Sequence, residues 1–428
     1  MLLIYTPKVT PRISYVFKHM FSRVLGLPIG FTSSIEAFIA HKSAKMSYGK
    51  QPLGSELFFQ SHRLLLEQGI ESIDITVKPW EETVCFFNTS TNSAVPFDVF
   101  SAAFYLLSRY EEYLPHVKDA KGRYSVTESL AFKNGFLEDP VVDIWSYKLK
   151  SILQEAFPSL HFEQKKHTVH LLVDAQEPYA YIQKGFFKSG IALFYDLYRL
   201  RFNAAWSRLK VLLGLRRDPY DTFKWIIRVM KNKPSALTVF FLLGEATSFE
   251  KSVNSYRVKF RMLIKLINDY REVGLLISKK AVTNADALKS EKRRIEASTK
   301  RHLVSSLNFN LEVSLPEIYR NLLTLEIEKD FTMVYEDMPG FRAGTCTPFL
   351  FYDLDYEIKT PLILHAPVCT TSSFKRQSPK DTEDKIKSLL DSVKGLDGSF
   401  IMIFANKDFS ATPNNKKWRS LFSETLHQ

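Results

Sequence analysis

Asp174 closes a run of β-branched and apolar residues, TVHLLVD at 168–174, and is followed by Ala175, Gln176 and Glu177. Side chains alternate along a strand, so Asp174 and Gln176 share one face and Glu177 takes the other. His167 and His170 lie three apart at the entry of the same run, so they face opposite sides and make a poor ligand pair. They read as strand-edge histidines in polar surroundings. Asp174 with His302 or His365 would make a two-ligand site, yet a lone histidine is more often simply hydrogen-bonded in place. Cys346 shows no partner histidine and reads as a buried thiol. Ser278 has no nearby base and reads as an ordinary hydroxyl. The chain has no HExxH, Walker loop or dinucleotide glycine pattern, and GxSxG is absent as well.

The elements that would carry these groups can be placed by period. Leu2 to Tyr5 reads as a strand. Thr10-Pro11 supplies an N-cap and a first-turn proline for a helix with Ile13, Phe17, Met20, Phe21 and Val24 on one face, stopped at Gly26. A helix capped by Asp98 is expected over 97–113 and a third over 143–156, with a short strand at Thr83 to Phe87. The polar stretch EQKKH then leads into the Asp174 strand, and a boundary is placed here, giving segments 1–165 and 166–428. Further strands are expected at Leu237–Leu242, Gly274–Ser278, His302–Ser306, Phe331–Val334, Pro361–His365 and Phe400–Phe404. Helices fall between them: one after Asp218-Pro219, one over about 254–272, and one from Ser378-Pro379 to Gly395. Strands separated by helices imply parallel pairing. The expectation is an α/β fold in which a distorted (β/α) barrel of about seven strands follows a smaller α/β domain.

With 428 residues, two domains are the natural expectation. A hydrophobic fraction of 45% and a charged fraction of 24% fit a globular core and exclude a disordered chain. The first residues lack the basic and cleavage features of a secretory signal, and no run is long enough to span a bilayer. Cys85, Cys346 and Cys369 are too few and scattered for a disulfide framework, so a cytoplasmic protein is expected. The net charge of +12 is compatible with anionic partners, but no nucleic-acid-binding pattern accompanies it. The stretch 199–217 interleaves Leu200, Phe202, Trp206, Leu209, Leu212 and Leu213 with Arg199, Arg201, Arg208, Lys210, Arg216 and Arg217. A helix of this kind either packs on a domain exterior or lies on a membrane surface.

Several phrases carry a resemblance: YTPKVTPRISYVFKHMF at 5–21, QPLGSELFF at 51–59, FDVFSAAFYLLSRYEEYLP at 97–115 and NGFLEDPVVDIW at 134–145. RDPYDTFKWI at 217–226, FFLLG at 240–244, SLPEIYR at 314–320 and GFRAGTCTPFLFYDL at 340–354 continue it in order. The chain resembles bacterial polysaccharide deacetylases of the NodB-homology class that carry an extra N-terminal domain. The resemblance implies a barrel whose site lies at the C-terminal strand ends. There one aspartate acts as base, a second aspartate and two histidines hold a divalent metal such as zinc, and a late histidine acts as acid.

Carried onto this sequence, Asp174 matches the base, Arg342 the arginine beside it, and Asn406 the residue that follows the acid. The remaining positions depart. Gln176 stands for the metal-binding aspartate, Leu276 and Phe309 for the two histidines, and Leu307 for an arginine. Ala405 stands for the acid and Thr371 for a late aspartate. Amide, leucine and phenylalanine do not build a zinc site. The resemblance therefore implies a catalytically impaired, pseudoenzyme-like relative with no cofactor, unless other residues rebuild the metal site. In this reading Asp174 and Arg342 form an ion pair. The implied role is glycan binding or accessory work in envelope or capsular polysaccharide metabolism. The alternatives are an active N- or O-deacetylase with a rearranged site, and a scaffold for a protein partner.

Overall fold

The computed structural model describes residues 1–182, 191, 194–195, 198–243, 254–424 and 426; Gly244 of the FFLLG phrase lies outside them. The N-terminal sheet is parallel, in the order β2-β1-β3-β4, from β1 (Leu2–Tyr5), β2 (Ile29–Thr32), β3 (Lys45–Gly49) and β4 (Leu57–Gln60). Thr10 caps the first helix, Pro11–Phe17, by accepting from the Ile13 N–H at 3.1 Å. The helix widens into a π-helical stretch over Lys18–Val24. Gly26 then turns the chain at φ +64°, where a Cβ would lie 2.7 Å from that of Glu163.

A hairpin of β5 (Lys78–Trp80) and β6 (Thr83–Cys85) precedes the helix Val99–Leu107. Asp98 caps that helix, with Oδ1 accepting from the N–H groups of Phe100 and Ser101 at 3.1 and 3.0 Å. The continuous helix expected over 97–113 breaks at Arg109, which adopts a left-handed conformation (φ +55°) before a short turn over Tyr110–Tyr113. Tertiary bonding overrides propensity here. The Arg109 guanidinium is buried between Glu111, Glu112 and the backbone carbonyl of Arg342.

The second sheet uses β7 (Thr168–Ala175), β8 (Ala236–Leu242), β9 (Glu272–Ile277), β10 (Ser305–Asn308), β11 (Lys329–Asp330), β12 (Phe349–Asp353), β13 (Ile358–Leu364), β14 (Cys369–Thr370) and β15 (Ser399–Ala405). Their order is β12-β13-β11-β10-β9-β8-β7-β15-β14, and every pairing is parallel except that of β12 with β13. The strand expected at 331–334 is absent. Asp330 folds its carboxylate onto the next residue, accepting from the Thr332 N–H at 2.9 Å and the Thr332 hydroxyl at 2.8 Å, and that turn ends β11. The strand expected at 302–306 sits slightly later, at 305–308.

Strand pairing among the described residues gives a row of nine with no closing pair between its edge strands β12 and β14. One short segment nevertheless reaches both sides. The His365 N–H donates to the Asp330 carbonyl, and the Val368 N–H to the Ile401 carbonyl, each at 2.8 Å. Inward-facing Leu172, Phe240, Leu276, Leu307, Phe331 and Ile401 form an apolar cluster separate from the main core. Gly274 is required beside it, because a Cβ there would lie 2.3 Å from the Phe240 ring.

The main core runs through both sheets. Polar ties cross between them as well. Arg12 pairs with Glu357, and Asp143 accepts from the Cys346 N–H at 3.0 Å and the Thr347 hydroxyl at 2.6 Å.

Candidate functional site

At the C-terminal ends of β7, β10, β14 and β15 lies a cavity of ≈ 440 Å³ whose lining includes Asp174, Asn308, Glu336, Thr370, Lys407 and Asp408. Gln176, Lys375, Lys417 and Trp418 also line it. Ile403 and Leu311 belong both to this lining and to the inner apolar cluster, so that cluster forms the floor. Asn310 and Leu311 on the rim are both left-handed (φ +56° and +55°). For a leucine this is costly backbone, of a kind that concentrates at functional sites.

Asp174 sits at the end of β7 and accepts the Gln176 N–H at 2.9 Å. Burial pushes its carboxyl up to about 6, and Asp408 and Glu336 push the same way against the Gln176 N–H and Lys407. Asp408 lies just beyond β15 and accepts the Thr371 hydroxyl at 2.7 Å and the Ala405 N–H at 2.9 Å. Its carboxyl is also raised, chiefly by burial. For Glu336 burial works upward, but Lys121 and Arg123 outweigh it and hold the carboxyl below the usual range. Arg123 Nη1 is 2.6 Å from Glu336 and 2.8 Å from the Asn310 carbonyl, so the N-terminal segment braces the rim. Asn308 donates its amide to the Glu312 carbonyl at 2.7 Å, while its buried Oδ1 has no partner. That oxygen is a buried acceptor left unsatisfied beside the cavity.

The expected residues do not all converge here. Gln176 lines the cavity beside Asp174. Asn406 does not. Its amide donates to the carbonyls of Glu177 and Tyr220 at 3.0 and 2.9 Å and ties two loops together. The Asp174–Arg342 ion pair does not form. Arg342 is held by Glu112 in a two-pronged pair at 2.9 and 2.7 Å and donates to the Val334 carbonyl at 3.2 Å. A planar guanidinium matched to one carboxylate in a buried setting leaves nothing for Asp174. Leu276 and Leu307 are in the apolar cluster, and Phe309 is not part of the lining. Ser278 caps the turn after β9 and donates to Glu291. Cys346 is buried, and burial pushes its thiol up.

His167, His170 and His365 line a different cavity, of ≈ 470 Å³, at the opposite strand ends. His170 and His365 flank the buried Phe331 ring, at 5.1 and 4.8 Å between centroids, and His170 Nε2 also lies 2.9 Å from the Thr238 hydroxyl. Burial lowers them to about 4 and about 3 respectively, so both are neutral near pH 7. His302 is exposed beside Glu296. Among the described residues no histidine therefore lines the cavity with Asp174. Among the described residues no group of three or more histidines, cysteines or carboxylates is arranged to hold a metal. An amide at 176 with leucine and phenylalanine at 276 and 309 does not fit a zinc ion, and no step through a metal follows.

Sequence reasoning missed Glu336, Asp408 and the lysines 375, 407 and 417. The available signal was position: Lys407 and Asp408 come directly after a strand that ends beside Asp174.

Residues 2–158 match a family of unknown function, DUF7033. No curated protein matches the chain. Its structural neighbours include polysaccharide deacetylases and pseudoenzymes of the CE4 family, at low identity. A protein from Mycobacterium smegmatis described as a polysaccharide deacetylase shares 11% identity at TM-score 0.37, over 62% of this chain and 85% of that one. BA3943, a CE4 family pseudoenzyme from Bacillus anthracis, shares 12% at TM-score 0.26, over 56% and 65%. A 4-alpha-glucanotransferase from Thermococcus litoralis shares 11% at TM-score 0.35, over 61% and 37%.

Proposed function

We propose that this chain is a deacetylase-like protein that binds a saccharide in the cavity at the Asp174 end of the strands, without metal and without hydrolysing it. On this reading the second sheet is a distorted barrel closed by the 358–370 segment, with the site at its mouth, and residues 1–165 form a domain that braces the rim. The observation that carries the reading is the composition of the mouth. Asp174 and Gln176 line it, while the other ligand positions of the resembled family hold Leu276 and Phe309, which lie outside the lining.

The free charge of the cavity favours an acidic sugar. Glu336 is paired with Lys121 and Arg123, so the two aspartates of the lining, 174 and 408, stand against three lysines. Lys375, Lys407 and Lys417 remain to meet a carboxylate. A role in envelope or capsular polysaccharide metabolism of a bacterial cell follows from this reading.

Calorimetric titration with oligogalacturonide in excess EDTA tests it. Saturable binding is expected, with at least a tenfold loss in Lys407→Glu and weaker binding of a neutral chitooligosaccharide. Metal content measured by plasma mass spectrometry should show no stoichiometric divalent ion. Acetate released from an acetylated oligosaccharide, or binding that requires added zinc, would instead support an active enzyme with a rebuilt site.

A further inference from the structure

The helix Phe202–Leu212 is turned the wrong way round for a helix that serves only to pack. Its inward face is Ala205, Arg208 and Val211, which are 5%, 7% and 5% exposed. Arg208 lies with its guanidinium 4.9 Å from the Tyr181 ring. Apolar side chains point outward: Phe202 and Trp206 from the helix, with Leu200, Leu213 and Leu215 beside it, all between 59% and 75% exposed. Surface helices normally bury that stripe. Exposed large apolar residues are ordinary when scattered, but a concentration in one short stretch marks an interaction surface.

Charge narrows the partner. Residues 199–217 contain six arginines and lysines and no acidic residue. Arg199, Arg201, Arg216 and Arg217 are exposed around the apolar group. Lys210 lies 5.2 Å from the Trp206 ring. A second copy of the chain seated symmetrically here would set arginines against arginines with no carboxylate in the stretch to offset them. A nucleic acid would use the aromatic rings and leave Leu200, Leu213 and Leu215 in water. An anionic bilayer satisfies both halves: phosphates meet the arginines, and the leucines and aromatic rings enter the acyl boundary. No helix among the described residues is long and apolar enough to cross a membrane, so the contact would lie along the surface.

We infer that residues 199–217 dock the protein on an anionic lipid surface through Leu200, Phe202, Trp206, Leu213 and Leu215, ringed by arginines. This contact is independent of saccharide binding in the cavity. Co-sedimentation of the full chain with vesicles of phosphatidylcholine, with and without phosphatidylglycerol, tests it. Binding is expected to the phosphatidylglycerol vesicles and to fall at least tenfold in Phe202→Glu/Trp206→Glu and in Arg216→Glu/Arg217→Glu. Because these side chains are exposed, both variants should melt like the parent. Failure to bind the anionic vesicles overturns the inference, as does equal binding to pure phosphatidylcholine. A dimer in sedimentation velocity that Trp206→Glu turns into a monomer would assign the surface to a second copy instead.

Discussion

Glu112→Ala should lower the unfolding free energy by about 3–5 kcal/mol, the cost of leaving buried charge without its partner. Glu112 stands between two buried arginines, at 2.7 Å from Arg109 Nε and at 2.9 and 2.7 Å from Arg342 Nε and Nη2. Arg109 also donates to the Arg342 backbone carbonyl. The three side chains are only 2–3% exposed. Removing the carboxylate leaves Arg342 without an acidic partner among the described residues, and Arg109 with Glu111 alone. The loss should appear as a lower urea midpoint. Burial works to raise the Glu112 carboxyl, but Arg342 and Arg109 overcome it and hold it at about 2. A depressed carboxyl stabilises above its unfolded value, and that contribution fades progressively as pH falls from about 4.3 to about 2. The alanine penalty should therefore be nearly constant from pH 8 to pH 5. A triple exchange of Arg109, Glu112 and Arg342 to Met, Leu and Met removes all three charges at once and should cost less than the single variant. A loss under about 1 kcal/mol in Glu112→Ala would refute this account of how the two sheets are held together.

That network also shows where sequence reasoning stops. The end of β7 was legible, because a run of valine and leucine closing on Asp174 is a local pattern. So were the caps at Thr10, Asp98 and Ser378, since a cap is read from a few adjacent residues. The break of the 97–113 helix was not legible, because its cause is a partner 233 residues away in sequence. The misplaced strand at 331–334 has a similar origin: FTMV has strand composition, but Asp330 turns the chain before it. Within the site, Asp174 and Gln176 were found from the family resemblance, and strand alternation set Glu177 on the other face. Glu336 and Asp408 sit in polar loops that look solvated, and only the folded chain brings them into the cavity. Arg342 misled for the opposite reason: its motif is local, but its partner is chosen by the N-terminal segment.

Asp174→Asn should make the protein more stable at pH 8, by about 1–3 kcal/mol, and leave it unchanged near pH 4. The folded carboxyl titrates at about 6, raised first by burial, against roughly 3.9 in an unfolded chain. A raised carboxyl is the reverse of Glu112. The unfolded chain releases its proton first, so the group adds a penalty that grows as pH rises from about 4 to about 6 and is full above that. Asparagine carries no such penalty, and its Oδ1 can still accept the Gln176 N–H. Asp330 also titrates at about 6, raised chiefly by burial, but it is common to parent and variant and cancels in the difference. Thermal melts of both proteins at pH 4 and pH 8 read this directly. A stabilised Asp174→Asn that no longer binds oligogalacturonide would show a carboxyl kept at the expense of stability, as binding sites commonly are. A variant less stable at pH 8 would make Asp174 a structural member of the strand end, and the saccharide site would then rest on Lys375, Lys407, Lys417 and Asn308.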